Sequence, residues 1–305
     1  MFEKVIAFLR LSRPIFLLGG IVVYALGALV ARYEGYPLDP SLYLMGQLFV
    51  TSLQLMTHYL NEYWDMEADR LNTSRTLFSG GSGILPEGKQ GLTRETAFTA
   101  AVICLAINSA AAIMLIFQYQ TGPAVWAVML LGFLGSFFYS SPPVRFSGSG
   151  YGEAVASVTV AGLVPALGHL LQTGHPSWRL VLATTPLIIF HYAMLIAFEF
   201  PDFLTDEAAG KKTLLVRVGR RAGASIHNAL IALALGLAAV ASFLGLPAQV
   251  AISVAITAPL GVWQIITVRR MRRGEPISFH RLTFGAVTLF ALTAYLMAFS
   301  FWVIG

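Results

Sequence analysis

Long apolar blocks recur from Ile15 to the C-terminus, separated by short polar stretches. Nine of them approach the roughly 20 residues that a helix needs to cross a bilayer. They cover 15–31, 42–64, 96–117, 123–139, 154–171, 178–200, 224–244, 248–268 and 282–303. The pattern predicts nine transmembrane helices in one bundle, with the termini on opposite sides of the membrane. The preceding segment, 1–14, sets Lys4, Arg10 and Arg13 among Phe2, Val5, Ile6, Phe8 and Leu9, the mixture expected of an amphipathic helix in the interface. No cleavable signal is expected, because the first block lacks a small-residue cleavage site and further blocks follow it.

Composition agrees with this pattern. Of 305 residues, 56% are hydrophobic and 11% charged, too little polar surface to cover soluble domains. The net charge of +5 does not point to nucleic acid, since the basic residues lie between the spans rather than along one polar face. With nine spans, all 20 Lys and Arg except Arg32 and Arg179 fall on one side, as do all acids except Glu34 and Asp39. Basic loops are retained in the cytoplasm, so that side, with the N-terminus, is expected to be cytoplasmic. The expected fold is an all-α membrane protein, one polytopic domain over 1–305 with its helices bundled around a central cavity. Within it, 65–95 and 201–223 are expected as cytoplasmic active-site loops. Cys104, the single cysteine, has no partner for an intrachain disulfide and is expected to face lipid or pack.

Candidate chemistry concentrates on the charged side. The second block ends in Asn61-Glu62-Tyr63-Trp64-Asp65-Met66-Glu67-Ala68-Asp69. Each four-residue step rotates a helix by only about 40°, so Asn61, Asp65 and Asp69 form one stripe able to offer oxygens to a shared cation. Magnesium takes such ligands and completes its octahedron with waters and substrate phosphates. The plainer reading, acids closing a helix in the headgroup region, stands beside it, although acids at a helix C-terminus oppose the macrodipole.

The sixth block ends in Phe198-Glu199-Phe200-Pro201-Asp202, followed by Asp206, Lys211 and Lys212, and repeats the four-residue acid spacing on the same side. Two carboxylate stripes facing one cavity would hold magnesium on one diphosphate, with Lys211, Lys212 or Arg217 neutralising the remaining charge. Pro201 is expected either to free backbone groups at the cavity edge or to mark where the span stops. Arg75 introduces a glycine-rich stretch, Ser79-Gly80-Gly81-Ser82-Gly83, readable as a lid that brings a guanidinium to phosphate or as an ordinary connection. Tyr139, Ser140 and Arg145 follow the fourth block, and Arg13 stands beside Pro14 where the first begins. His58, one turn before Asn61, either touches the cavity or packs; the six histidines lack zinc-helix spacing.

Together, the paired motifs and nine spans resemble the UbiA-type intramembrane aromatic prenyltransferases over nearly the whole chain. That family carries N-D-x-x-D-x-x-x-D after its second helix and D-x-x-x-D after its sixth. Asn61, Asp65, Asp69, Asp202 and Asp206 match these positions, with Glu62 in place of the usual aspartate. The resemblance implies Mg2+-assisted departure of diphosphate from an allylic polyprenyl diphosphate and alkylation of a small aromatic acceptor. It makes Asp65, Asp69, Asp202, Asp206, Tyr139 and Lys211 the catalytic candidates, and Asn61 with the four aspartates the magnesium ligands. Arg75, Arg145, Lys211 and Lys212 would contact diphosphate, and Arg13, Asn61 and Ser140 the substrate; Glu62 and His58 are further candidates. Membrane lipid would be the other partner, and a bacterial or archaeal cell membrane the location, with the site on the cytoplasmic side. Oligomeric state is not legible.

The stretch 210–219 and the 79–83 glycine run look most like the branch that prenylates 1,4-dihydroxy-2-naphthoate on the route to menaquinone, with loss of the acceptor carboxylate. Pro201 stands where that branch often has arginine. Acceptors left open are 4-hydroxybenzoate, homogentisate, a tetrapyrrole and a glycerol phosphate. A secondary transporter is the competing reading from another class, but its carboxylates are expected deeper in the membrane.

Overall fold

A computed structural model describes residues 2–85, 88 and 91–305, and among them every regular element is helical. A short helix, α1 (Phe2–Leu11), precedes α2 (Pro14–Tyr33), α3 (Pro40–Arg70), α4 (Arg94–Ile113) and α5 (Pro123–Ser140). The rest of the chain forms α6 (Gly152–Val158), α7 (Val164–Thr173), α8 (Trp178–Ala208), α9 (Leu214–Phe243), α10 (Ala248–Arg272) and α11 (Phe279–Ile304). Residues 86, 87, 89 and 90 of the expected 65–95 loop lie outside the described residues.

Helix starts follow local chemistry. Proline opens α2, α3 and α5, where a missing N–H costs nothing. Asp39 caps α3 by accepting from the N–H groups of Ser41 and Leu42, and Ser177 caps α8 by accepting from that of Leu180. On α1, Phe2, Val5 and Leu9 are exposed while Ala7 and Leu11 are buried against the bundle. Cys104 is packed inside.

Eight helical segments among the described residues are long and apolar enough to cross a membrane. The block expected as the second span lies in α3, whose 31 residues extend about 46 Å at 1.5 Å each, ample for a bilayer. Its lower apolarity has a visible cause: Gln54, Thr57, His58 and Asn61 turn toward an internal cavity. The fifth block is α6 and α7 joined by a π-helical turn, Thr159–Leu163, whose Thr159, Val160 and Leu163 line the same cavity.

Pro201 does not mark the end of the helix. α8 runs through both Pro186 and Pro201 to Ala208, so 201–208 is helix rather than loop, just as 65–70 is the last turn and a half of α3. The four-residue acid spacing is therefore helical in both motifs. Beyond it, 214–223 is also largely helical, interrupted where Gly219 takes φ 80° inside α9.

Two apolar clusters build the bundle. One joins α2, α8, α9, α10 and α11, and the other α3, α4, α5 and α7. At their seam α2 and α7 meet backbone to backbone: a Cβ on Gly27 would lie 1.8 Å from the Pro165 carbonyl oxygen, and one on Gly168 2.4 Å from that of Tyr24. Small residues allow such close crossings in membranes. Gly27→Val should therefore cost on the order of 2 kcal/mol, read as a lower apparent unfolding temperature of the purified protein.

At the end of the bundle away from the motifs, Glu34 joins α2, α7 and α8. It accepts from Ser177 Oγ and from His169 Nε2 at 2.9 Å, and pairs with Arg179 at 3.6 Å. Burial alone would raise the Glu34 carboxyl, but these partners outweigh it and hold the group below the ordinary glutamate range.

Candidate active site

Asp65 is the centre of the motif cluster. On the inner face of α3, it accepts from Asn61 Nδ2 at 2.9 Å, Arg145 Nη2 at 3.0 Å and Lys211 Nζ at 3.1 Å. These donors come from three stretches far apart in sequence. Asn61 also donates to Ser140 Oγ at 3.0 Å, tying α3 to the end of α5. Arg145 reaches inward from a left-handed backbone, φ 47°. The two aspartate motifs meet through Lys211, whose ammonium is 3.8 Å from Asp206 Oδ1 while bonded to Asp65. Burial would pull this lysine down, but Asp65, Asp206 and Asp69 outweigh it and hold the ammonium above the ordinary lysine range.

Glu62 has a role that differs from its neighbours. One residue after Asn61, it is turned about 100° around the helix and is 1% exposed. It accepts from Arg13 Nε at 3.1 Å and from Arg13 Nη2, and from both the backbone N–H and the hydroxyl of Ser82 at 2.8 Å. Four donors saturate its carboxylate. It fastens the start of α2 and the glycine-rich loop to α3 instead of facing the shared stripe. Arg13 extends from that anchor to Asn61 Oδ1 at 3.4 Å. His58 lines the cavity and hydrogen-bonds the Ser12 carbonyl through Nδ1 at 3.1 Å, so it does both things asked of it.

The glycine-rich loop lies directly on the acids. Asp202 Oδ1 accepts from Asn72 Nδ2 at 2.8 Å, and Ser79 and the Gly80 N–H lie close to the same carboxylate. Gly80, Gly81 and Gly83 all take positive φ, a conformation glycine adopts without a Cβ clash. A Cβ on Gly81 would stand 2.0 Å from Asp69 Oδ2. Gly81→Ala should therefore displace either the loop or Asp69, lowering turnover roughly tenfold and stability by about 1–3 kcal/mol; initial rates and a thermal melt check both. Arg75 folds back onto backbone, donating to the Gly80 carbonyl at 2.7 Å and the Asp69 carbonyl at 3.0 Å. Lys212 is exposed, and its N–H bonds the Gly148 carbonyl at 3.0 Å.

From Asn61, Arg13 and Tyr139 a cavity of about 700 Å³ runs into the bundle between α2, α3, α5, α8 and α11. Its walls are mostly apolar, including Phe49, Leu53, Val128, Val164 and Leu167. Near its polar end Phe16, Phe78 and Phe198 form an aromatic group, with Phe78 and Phe198 stacked at 6.0 Å and Phe16 edge-on to both. Of the aromatic side chains near the motifs, Phe198 faces this space, whereas Tyr63 and Trp64 pack beside Arg94 elsewhere. The Tyr139 ring lines the cavity within electrostatic reach of Glu153, Asp65 and Glu199.

Glu153 and Glu199, like Asn72, are participants the motif reading did not single out. Both glutamates are buried, and they support the start of α9 just after Lys211: Leu214 N–H donates to Glu153 Oε1 at 3.3 Å and Leu215 N–H to Glu199 Oε2 at 2.7 Å. Acids within or bordering apolar blocks are costly in a membrane, which was the available signal for both. Asn72 offered no signal beyond its nearness to Asp69.

Among the described residues no three acidic, histidine or cysteine side chains converge into a closed cation cage. Magnesium does not require one, because it is commonly held by one or two carboxylates with phosphate oxygens and water. The oxygen-only donor set fits it, and the Lys211 ammonium between Asp65 and Asp206 marks a place between the motifs where positive charge is already stabilised.

A model of the UbiA prenyltransferase family matches residues 21–287. Among curated relatives, 1,4-dihydroxy-2-naphthoate octaprenyltransferase of Bacillus subtilis (strain 168) is 23% identical over 228 residues, 74% of this chain and 70% of the relative. The 2-carboxy-1,4-naphthoquinone phytyltransferase of Synechocystis sp. (strain ATCC 27184 / PCC 6803 / Kazusa) is 32% identical over 105 residues, 33% of this chain and 34% of the relative. In fold the chain is similar to a UbiA homolog from Archaeoglobus fulgidus bound to GPP and Mg2+, with TM-score 0.65, 18% identity and coverage of 98% of this chain and 99% of that one. A UbiA homolog from Aeropyrum pernix K1 gives TM-score 0.66 at 16% identity over 94% and 97% of the two chains. With the family model covering nearly all of the bundle, the chain belongs to the UbiA prenyltransferase family and is an intramembrane prenyltransferase.

Proposed function

We propose that this enzyme moves a polyprenyl group from an allylic diphosphate to 1,4-dihydroxy-2-naphthoate, with loss of the acceptor carboxylate, in a magnesium-dependent reaction at the cytoplasmic face. The observation that carries this reading is the Lys211 ammonium lying between Asp65 and Asp206, with Asp65 bonded to Asn61, which lines the polar end of an apolar cavity. Asn61, Asp65, Asp69, Asp202 and Asp206 would hold magnesium, which when bound stabilises the negative charge of a departing diphosphate. Arg145 and Lys211 supply further positive charge on the diphosphate side. The aromatic group of Phe16, Phe78 and Phe198 presents π faces toward the electron-poor prenyl fragment, and the apolar walls exclude water from it.

The acceptor assignment is supported by the names of the two relatives, both of which act on naphthalene-type substrates. Retention of the basic side in the cytoplasm supports the orientation. The test is a purified preparation given Mg2+, a polyprenyl diphosphate and a panel of aromatic acceptors and glycerol phosphates, read by mass spectrometry and diphosphate release. The expected product is the decarboxylated prenyl naphthol derivative, lost on chelation of magnesium. Product with another acceptor alone would overturn the naphthoate assignment, and no diphosphate release with any acceptor would overturn the reaction.

A further inference from the structure

His191 lies deeper in the cavity than the motif residues and takes no part in holding diphosphate. It is on α8, and its side chain lines the cavity while only 5% exposed. Seven residues separate it from Phe198 and eleven from Asp202, so all three fall within about 40° of arc on one face of the helix. The axial distance from His191 to Asp202 is about 16 Å at 1.5 Å per residue. A diphosphate followed by a two-ring acceptor would fit along a stripe of that length.

The hydrogen-bond network determines which ring nitrogen is available. Ser157 Oγ donates its single proton to the Glu153 carbonyl at 2.6 Å. The same oxygen is 3.0 Å from His191 Nδ1 and must accept there, so Nδ1 carries the hydrogen. In the neutral ring Nε2 is then a bare acceptor. It has no partner among the described residues and, unlike Nε2 of His227, it is not sealed within protein. Phe290 sets the ring orientation by an edge contact, centroids 4.8 Å apart at 75°. A buried acceptor open to an apolar cavity calls for a ligand that brings a donor. Isoprenoid carbons bring none, whereas a phenolic hydroxyl does.

We propose that His191 Nε2 accepts a hydrogen bond from a hydroxyl of the aromatic acceptor, so that His191 is a substrate-specificity residue. This rests on the prenyl-transfer reading above. His191→Phe keeps the ring and its contact with Phe290 but removes the acceptor, whereas His191→Gln can return an amide oxygen near the position of Nε2. The Phe variant should raise the acceptor KM about tenfold while leaving the prenyl diphosphate KM within about twofold, and the Gln variant should recover most of the difference. A binding measurement needs no turnover: wild-type protein should bind 1,4-dihydroxynaphthalene about tenfold more tightly than its dimethyl ether, and His191→Phe should bind the two alike. Equal binding of diol and ether by wild type, as when water alone meets Nε2, overturns the proposal, as does discrimination that survives in His191→Phe. If wild type bound the diol selectively through His191 yet released no diphosphate with any acceptor, the prenyl-transfer reading would fail while the hydrogen bond from the aromatic diol to His191 would stand.

Discussion

Asp65→Asn should lower diphosphate release by roughly 10²- to 10³-fold, the largest loss expected from any isosteric change in the chain. All three side chains bonded to Asp65 are donors: Asn61 Nδ2, Arg145 Nη2 and Lys211 Nζ. An asparagine in its place turns one acceptor oxygen into an NH2 group, which must face at least one of those donors whichever way the amide is flipped. It also removes the carboxylate that holds Arg145 and Lys211 directed inward. The shape is kept, so the variant should remain folded, at a cost of about 1–3 kcal/mol from the unmatched donors. Steady-state diphosphate release with a parallel thermal melt checks both. Full turnover in Asp65→Asn would remove the central role assigned here, since among the described residues no other acid contacts both Arg145 and Lys211.

The stripe Asn61, Asp65 and Asp69 was legible because helical angle follows from spacing alone. The same arithmetic separates Glu62 from it: one residue on, the side chain lies on another face, where the structure shows it held by Arg13 and Ser82. Family motif alignment groups Glu62 with its neighbours, and only geometry parts them. The second motif was legible as a spacing but not as a conformation. Proline disfavours helix interiors by removing one N–H bond, yet α8 continues past Pro201, and in a packed membrane helix neighbouring groups can take up the freed carbonyl.

What spacing cannot give is which donor meets which acid. Arg75 and Arg145 are equivalent as loop guanidiniums in the sequence, yet one closes its own loop through backbone carbonyls and the other reaches Asp65. The difference lies in the tertiary path of the loops. α3 shows a related limit: Gln54, Thr57, His58 and Asn61, four of the polar residues that lower its apolarity, line the cavity, and α3 is not among the eight helical segments apolar enough to cross a membrane. Function and span detection compete for the same positions there.

Lys211→Met should separate two contributions that act together in the wild type. The ammonium bonds Asp65 and lies near Asp206, so it satisfies the acids when no metal is present and is placed to neutralise diphosphate when substrate arrives. Its loss should raise the prenyl diphosphate KM and lower turnover by about 10²-fold. It should also lower the Mg2+ concentration needed for half-maximal activity, because the metal no longer competes with a resident cation for the Asp65 and Asp206 oxygens. A purely structural lysine would produce neither of these opposed shifts. Stability should fall by on the order of 3 kcal/mol, the cost of leaving buried carboxylates without their partner. The pH dependence of that loss has a definite sign. Lys211 is held above the ordinary lysine range in the folded protein, so its contribution is fully present below the unfolded value of about 10.4 and is lost as pH rises from there through the folded value. The stability gap between wild type and Lys211→Met should therefore not narrow between about pH 7 and 9 and should narrow only above about 10.4. A gap that narrowed steadily across pH 7 to 9, roughly the neutral range where histidine and perturbed thiols titrate, would mean that another group, not this ammonium, joins the two motifs.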